Sequence, residues 1–310
     1  MHPMFDLIII GGGPAGVAAG VYAARKRLKT LIVAESIGGQ SMDSTEIQNW
    51  IGTEKISGLD LAKTFESHLK AYAGDVVSFA IGERATKLEK KDGSFSVTTS
   101  KNNYATKAVL IATGGHRKKL EVPGAETFEN KGLTYCASCD GPLFAGQDVA
   151  VVGGGNAGFE TAQQLLAYAK SVTLIHRRHT FDKADAATVS AVKAHPNFTA
   201  LMSAEPTEIK GAPFVTGLVV KNRETGETRE LPVTGIFVEI GMLPNTDFTQ
   251  SLVALDEHKR VVVDAKTQRT SVEGIWAAGD VTDELYHQNN IAAGDGVKAL
   301  EDIYLWIKKR

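Results

Sequence analysis

The stretch Gly11-Gly12-Gly13-Pro14-Ala15-Gly16 decides the fold, because it follows a short apolar run and precedes an alanine-rich segment. The same design returns as Gly153-Gly154-Gly155-Asn156-Ala157-Gly158, directly after the apolar run Val149 to Val152. A strand, a glycine turn and a helix in this order are typical of a βαβ unit that binds a dinucleotide. The repeat therefore predicts an α/β protein with two nucleotide-binding units.

The rest of the chain predicts that the second unit is inserted into the first. Helices are expected over 17–27 and 158–169, and alternating segments at 75–112 and 198–240 predict an antiparallel meander after each βαβ unit. A buried strand at 274–278 and a helix over about 292–308 then complete the first unit. We expect two Rossmann-like, three-layer ββα domains joined by a short paired hinge: an outer domain at 1–116 and 244–310, and an inserted domain at 117–243.

The first glycine turn predicts a pyrophosphate site. Its glycines allow a tight turn, close approach of a phosphate and close packing of the helix on the strand. Glu35 follows the second strand, where a carboxylate can accept hydrogen bonds from a ribose. We expect FAD rather than NAD, since later segments are arranged as if to surround a flavin. The expected FAD contacts are Gly11, Gly13, Pro14, Ala15, Gly16, Glu35, Gly39, Gln40, Asn49, Ala112, Gly279, Asp280, His287, Gln288 and Asn289.

The second glycine turn differs from the first at the end of its second strand. His176-Arg177-Arg178 stands where the first unit has Glu35. A carboxylate there would repel a 2′-phosphate, whereas arginine offers it a planar fork of donors. We therefore expect NADPH rather than NADH, bound by Gly153, Gly155, Asn156, Ala157, His176, Arg177 and Arg178.

Cys136 and Cys139 are the only cysteines in the sequence. Two cysteines at this spacing can close a small disulfide ring, and their environment can produce a reactive thiolate. Asp140 is adjacent and could relay a proton as the pair opens and closes. The spacing also suits zinc, but a structural zinc site needs about four ligands and there is no second pair, so we expect no metal. Two inert buried cysteines are the remaining interpretation.

Composition excludes several classes of partner. The net charge is −2, which argues against nucleic acid or an anionic membrane as the main partner. No run approaches the roughly 18 apolar residues that a membrane span needs. Two closely spaced cysteines without an export signal favour a reducing cytoplasm.

Along essentially its whole length the sequence resembles low-molecular-weight thioredoxin reductases. The matching stretches are Gly11 to Gly16, Gly38 to Gln40, Glu46 to Trp50, Cys136 to Gly141, Gly153 to Gly158, His176 to Arg178 and Gly274 to Asp280. Two stretches, at 139–144 and 235–241, are closer to the flavoprotein subunit of alkyl hydroperoxide reductase. That relative carries an extra N-terminal thioredoxin-like module, which we do not expect in this chain.

The resemblance implies a homodimer with FAD in the outer domain and NADPH in the inserted one. It also implies that Cys139 faces the flavin, that Cys136 attacks the partner's disulfide and that Asp140 is the acid–base residue. The family is known for a large rotation of the inserted domain. Three positions depart from the family's pattern: Asp182 replaces a frequent arginine, Ile51 a proline, and His287 an arginine or lysine.

The expected function is NADPH-dependent reduction of a disulfide in thioredoxin or a similar small dithiol protein. Two alternatives stay open. One is a dithiol oxidase or a ferredoxin-fed disulfide reductase on the same scaffold, which Asp182 favours because an acid weakens the phosphate site. The other is a flavin-binding redox sensor whose disulfide state governs a protein contact.

Overall fold

The computed structural model describes residues 4–44, 46–91, 93–182, 184–250 and 252–310. The chain forms two compact units, an outer unit of Met1–His116 with Leu243–Arg310 and an inserted unit of Arg117–Met242. The limits expected from sequence for the inserted domain are 117 and 243.

The helices and strands follow one another in three blocks. Before the insertion the elements are β1 Phe5–Ile10, α1 Pro14–Arg25, β2 Thr30–Ala34, α2 Gly58–Ala73, β3 Val77–Ile81, β4 Ala85–Lys91, β5 Ser94–Thr99, β6 Asn103–Ile111 and β7 Gly115–Arg117. The insertion adds α3 Ala125–Phe128, β8 Leu133–Thr134, α4 Ala137–Asp140, β9 Asp148–Val152, α5 Asn156–Leu166, β10 Ser171–Ile175, α6 Ala186–Lys193, β11 Phe198–Leu201, β12 Ala204–Gly211, β13 Val215–Asn222, β14 Thr228–Leu231, β15 Gly235–Val238 and β16 Met242–Pro244. The chain then ends with β17 Ile275–Ala277 and α7 Asn289–Lys308, and short 3₁₀ turns lie at Gly39–Asp43, Gly141–Phe144 and Asp247–Thr249.

The outer unit is built on one sheet in the order β3-β2-β1-β6-β5-β4, with β17 also paired to β6. The strands β3, β2, β1, β6 and β17 are parallel, while β5 pairs antiparallel with β6 and β4 pairs antiparallel with β5. Successive residues of a strand point to opposite faces. Leu7 and Ile9 therefore join the core that also holds α1, α2 and α7, whereas Ile8 and Ile10 join the core on the other face.

The inserted unit has a parallel sheet in the order β11-β10-β9-β15-β8 and a separate antiparallel sheet of β12, β13 and β14. Its strand order reverses between β9 and β15, and a crevice at such a point is the usual ligand site of an open α/β sheet. The expected fold, two Rossmann-like domains with the second inserted into the first, is confirmed.

Several expected elements need correction. The segment at 75–112 is not one meander, because β3 is a parallel edge strand and only β4 to β6 are antiparallel. In the same way β11 and β15 belong to the parallel sheet, so the second meander is limited to β12–β14. The helices α1, α5 and α7 begin two or three residues earlier than expected. Proline is favoured in the first turn of a helix, where its missing N–H leaves no bond unmade, and α1 begins at Pro14.

The two connections between the units are the strands β7 and β16, which pair with each other in a two-stranded sheet. Both passages of the chain between the units therefore lie side by side. Within the described residues, no helix combines the length and the apolar character that crossing a bilayer requires.

Candidate active site

Three of the four glycines of the first turn, Gly11, Gly13 and Gly16, have different surroundings. Gly11 has φ +124°, and a Cβ there would overlap the carbonyl oxygen of Ala112. A Cβ on Gly16 would overlap the carbonyl oxygen of Gly11, so this glycine allows α1 to pack against the turn. Gly13 faces open space, since the nearest atom to a Cβ there is the Cα of Gly39 at 3.9 Å. The turn is thus tight on one side and open on the other, where α1 begins.

A cavity of about 470 Å³ opens in front of this turn, inside the outer unit. Its size is that of a small-molecule or cofactor site. The expected residues that line it are Gly11, Gly13, Pro14, Ala15, Glu35, Gly39, Gln40, Ala112, Gly279, Asp280 and Asn289. Gly16 packs behind the turn instead, and Asn49, His287 and Gln288 do not line the cavity. The open glycine, the helix start and the exposed carboxylate of Glu35 fit the pyrophosphate and ribose of a dinucleotide.

Asn49 and Gln288 meet each other. Asn49 Nδ2 donates to Gln288 Oε1 at 3.0 Å, and Asn290 Nδ2 donates to the Asn49 carbonyl at 2.6 Å. These bonds attach the segment around Asn49 to the first turn of α7. Beside them, His287 Nε2 is buried and has no hydrogen-bond partner among the described residues. A buried ring nitrogen without a partner is the kind of atom that a bound polar group satisfies.

Sequence reasoning missed part of the cavity wall. The loop between β3 and β4, with the start of β4, contributes Glu83 to Thr86, and the chain after β16 contributes Asn245, Asp247 and Phe248. Glu83 is buried and accepts hydrogen bonds from Thr99, Asn102 and Tyr104, so it anchors this loop. Burial pushes the pKa of Glu83 up, but these hydrogen bonds outweigh it and the pKa is lowered. No signal in the sequence marked this loop, because the half-buried pattern of β3 is that of an antiparallel strand.

The second turn repeats the geometry of the first. Gly153 has φ +128°, a Cβ on it would overlap the carbonyl oxygen of Glu239, and a Cβ on Gly158 would overlap that of Gly153. Gly155 has nothing within 4 Å of such a Cβ. The expected residues Asn156 and Ala157 form the exposed first turn of α5, and Asn156 Oδ1 accepts the N–H of Asp185 at 2.7 Å.

The basic segment after β10 is held by its own neighbours. His176 Nε2 lies 2.9 Å from the Thr180 carbonyl, and burial lowers the pKa of His176. Arg178 forms an ion pair of 3.3 Å with Asp182, whereas Arg177 is exposed. Of the two arginines expected to bind a 2′-phosphate, one therefore already has a carboxylate partner.

Glu239 is a buried carboxylate that sequence reasoning missed. It follows β15 at the crevice of the inserted sheet, where Oε2 lies 2.8 Å from Arg117 Nη1 and Oε1 accepts from Thr161 at 3.0 Å. Burial raises the pKa of Glu239, although Arg117 and Thr161 oppose the rise. A charged residue that ends the apolar run at 235–238 was the signal in the sequence.

The cysteines lie in the inserted unit, joined by a disulfide with their Cα atoms 5.3 Å apart. Cys136 precedes the four-residue helix α4, and its Sγ accepts the N–H of Cys139 at 3.2 Å. Asp140 ends α4 and accepts a hydrogen bond from the Thr134 hydroxyl. Burial raises the pKa of Asp140, and this hydrogen bond opposes the rise. Among the described residues, no group of three or more His, Cys, Asp or Glu side chains is arranged to hold a metal ion.

Solved structures and sequence relatives resemble the whole chain. Thioredoxin reductase from Streptococcus pyogenes superposes with a TM-score of 0.90 at 34% identity, covering 99% of both chains. Thioredoxin reductase from Giardia duodenalis does so with a TM-score of 0.93 at 32% identity, covering 99% of this chain and 100% of its own. The resemblance to thioredoxin reductases is confirmed.

Longer relatives match as well. The F subunit of alkyl hydroperoxide reductase of Pseudomonas putida is 42% identical over 95% of this chain, and NADH dehydrogenase of Bacillus subtilis is 40% identical over 95%. The chain spans only 56% and 57% of the length of these two relatives. The model of the pyridine nucleotide-disulphide oxidoreductase family matches residues 5–296. With two dinucleotide folds and a cysteine pair in that span, this chain belongs to the pyridine nucleotide-disulphide oxidoreductase family.

Proposed function

We propose that this chain is a thioredoxin-disulfide reductase that uses NADPH as donor and FAD as relay. FAD is assigned to the outer unit and NADPH to the inserted unit. The single observation that carries the proposal is the disulfide Cys136–Cys139, followed directly by a half-buried acid, on a chain with two open glycine turns. When bound, FAD supplies two-electron chemistry between a nicotinamide and a disulfide. Neighbours titled thioredoxin reductase, matched over nearly their whole length, support the choice of partner.

The chain's own residues divide the remaining work. The glycine turn at Gly13 and the start of α1 bind the pyrophosphate, and Glu35 orients a ribose. The expected contacts at Asn49, His287 and Gln288 remain part of the proposal and would hold the other end of the cofactor. In the inserted unit, the turn at Gly155 binds the second dinucleotide.

Thiol exchange completes the reaction. The Cys136 thiolate attacks one sulfur of the partner's disulfide, forming a mixed disulfide and releasing the partner's other sulfur as a thiolate, which takes a proton. The Cys139 thiolate then attacks Cys136 Sγ, which restores the Cys136–Cys139 disulfide and releases the second thiol of the partner. Asp140 gives and takes the protons that these steps need.

The nucleotide preference is the finest part of the proposal. Arg177 and Arg178 offer donors to a 2′-phosphate, but Arg178 already forms an ion pair with Asp182. We therefore expect NADPH to be preferred over NADH, but by a smaller factor than if both arginines were free to bind the 2′-phosphate. Two relatives are named NADH dehydrogenase, which makes NADH the necessary comparison.

A second candidate partner is a disulfide of a peroxide-reducing protein. Relatives about 40% identical are named as the F subunit of alkyl hydroperoxide reductase, which favours this alternative.

A homodimer in a reducing cytoplasm is also part of the proposal, supported by the resemblance and by the two closely spaced cysteines. Light scattering of the purified protein tests the dimer.

Anaerobic titration with NADPH and then NADH tests the main proposal. We expect a yellow protein whose flavin absorbance is bleached by NADPH. Cys139→Ser should keep that bleaching and lose reduction of thioredoxin, because the internal disulfide can no longer form. A colourless protein that does not take up FAD would refute the proposal, and flavin that NADPH leaves oxidised would favour the ferredoxin-fed or oxidase alternative.

A further inference from the structure

Thr134 touches both the acid and the first cysteine of the redox centre. The residue is 6% exposed, and its hydroxyl donates to Asp140 Oδ2. The same oxygen accepts the backbone N–H of Cys136 at 3.3 Å. A threonine hydroxyl carries one proton, so a donor on one side directs that proton toward the carboxylate on the other. Within the described residues, this is the one hydrogen bond recorded for the Asp140 carboxyl group.

The two partners are held by different kinds of structure. Thr134 ends β8, which pairs with β15 in the parallel sheet, where Thr134 lies opposite Phe237. Leu133 and Phe237 are fully buried, so this strand is fixed by the core. Asp140 lies on the four-residue helix α4. The Asp140 N–H donates to the Cys136 carbonyl at 3.1 Å. Thr134 therefore ties a four-residue helix to a strand of the buried sheet.

We propose that Thr134 is a positioning residue of the redox centre, whose hydroxyl holds the Asp140 carboxylate beside Cys136–Cys139 and favours its ionised form. The inference rests on the acid–base role given above to Asp140. A hydrogen bond donated to the ionised form of an acid stabilises that form. Thr134 thus keeps Asp140 from binding its proton too tightly to release it when the disulfide opens.

The surroundings of Asp140 leave few other groups to set its protonation. Burial raises its pKa and the Thr134 hydroxyl acts in the opposite direction. The helix α4 packs on α5 and on the 3₁₀ turn Gly141–Phe144. The charged residue of α5 is Glu160, which is exposed, and the turn has none. The Tyr168 phenol lies close to Gly141, and the two cysteines do not titrate while the disulfide joins them.

Opening of the disulfide by dithiothreitol isolates the proton step. One thiolate of the reagent attacks Sγ of a cysteine, the Cys136–Cys139 bond breaks, and the released cysteine thiolate takes a proton from Asp140. The second thiol of the reagent gives its proton to Asp140 and displaces the other cysteine, which takes from solvent the proton that the reagent first lost. One dithiol is oxidised and two cysteine thiols form.

The experiment measures this opening in purified holoenzyme without nucleotide, between about pH 5 and 9, by acid quenching, alkylation and mass spectrometry. Rates are divided by the thiolate fraction of the reagent. For the wild type we expect the corrected rate to fall as pH rises through the Asp140 pKa. Thr134→Val, which lacks the hydroxyl at nearly the same volume, should move that fall upward by about one pH unit. Thr134→Ser, the matched control, should leave it in place.

Three results would overturn the inference: a Thr134→Val profile that superimposes on the wild type, a Thr134→Ser profile shifted as far as that of valine, or a fall that persists in Asp140→Asn. Thr134→Ala replaces valine if that variant does not fold. The assay reads neither flavin colour nor turnover. A protein with no NADPH-driven turnover would refute the proposed function and leave this test intact, whereas unchanged profiles in an active reductase would refute the role of Thr134 alone.

Discussion

The two glycine turns have the same backbone and different side chains. Gly11 and Gly153 each lie against a backbone carbonyl at the end of a neighbouring strand. Gly16 and Gly158 pack on these two glycines, whereas Gly13 and Gly155 face open space. The carbonyl above the first glycine belongs to Ala112 in the outer unit and to Glu239 in the inserted unit. The second strand is followed by Glu35 in one and by His176 in the other. The backbone of the turn is therefore common to both units, and in the proposed function the residues at the strand ends distinguish the two ligands.

The largest expected effect separates glycines that the fold needs from those that a ligand needs. Gly11→Ala and Gly153→Ala should each lower the free energy of unfolding by about 2 to 4 kcal/mol, because both have positive φ and an overlapping carbonyl. Gly13→Ala and Gly155→Ala are the matched controls and should cost far less. Circular dichroism in urea measures the loss in either unit. All three tryptophans, Trp50, Trp276 and Trp306, are in the outer unit, so their fluorescence should report Gly11→Ala and not Gly153→Ala. Equal losses at all four positions would contradict the comparison.

Valine at the open glycines should exclude the ligands without unfolding the units. We expect Gly13→Val to weaken FAD binding by about 10- to 100-fold, measured by the flavin retained after gel filtration. Gly155→Val should remain yellow and instead weaken NADPH binding by a similar factor, measured by anaerobic flavin reduction at varied nucleotide concentration. If Gly155→Val lost its flavin, the assignment of the two cofactors to the two units would be wrong.

Asp182→Asn should increase the preference for NADPH over NADH. Releasing Arg178 from an exposed ion pair is expected to raise the ratio of the two kcat/KM values by up to about fivefold. Glu35→Gln is the control, because it lies in the other unit and should change flavin affinity and leave this ratio alone. A ratio that Asp182→Asn does not alter would show that Arg178 makes no contact with a 2′-phosphate.

Glu239→Gln should give the smallest effect, which is a change in how the free energy of unfolding varies with pH. The pKa of Glu239 is raised in the folded state, chiefly by burial. Between the pKa of the unfolded chain and that of the folded protein, the folded protein therefore keeps a proton on Glu239 that the unfolded chain has lost. The contribution of Glu239 to the free energy of unfolding is fully present below the pKa of about 4.3 that this group has in the unfolded chain. The contribution falls as pH rises through the pKa of the folded state. Glu239→Gln should remove that fall from the curve of urea midpoint against pH, and the exposed Glu126→Gln should not. An unchanged curve for Glu239→Gln would contradict the expectation.

The sequence predicted the elements whose burial leaves a simple pattern. The strands β1, β2, β9 and β10 are buried on both faces or nearly so and read as continuous apolar runs. The edge strand β3 is different, since Phe79 and Ile81 are 36% and 43% exposed. Its half-buried pattern is that of an antiparallel strand, which is why the extent of the meander was wrong.

The site was predictable where chemistry depends on spacing along the chain. The glycine turns and the cysteine pair are local patterns. Glu83 and Asn245 reach the cavity only because the sheet brings the ends of separate strands to one edge. Thr134 reaches Asp140 because α4 turns back on β8. Contacts that depend on such returns of the chain carry no spacing signal.

The interrupted outer unit has a consequence for synthesis on the ribosome. The second half of β6 pairs with β17, and about 160 residues of chain lie between them. At a usual rate of translation, on the order of ten seconds pass before β17 emerges. For that time the outer unit exposes an unpaired strand edge and lacks the cavity wall at Gly279 and Asp280. The cavity proposed for FAD can therefore close only after the whole insert has been made.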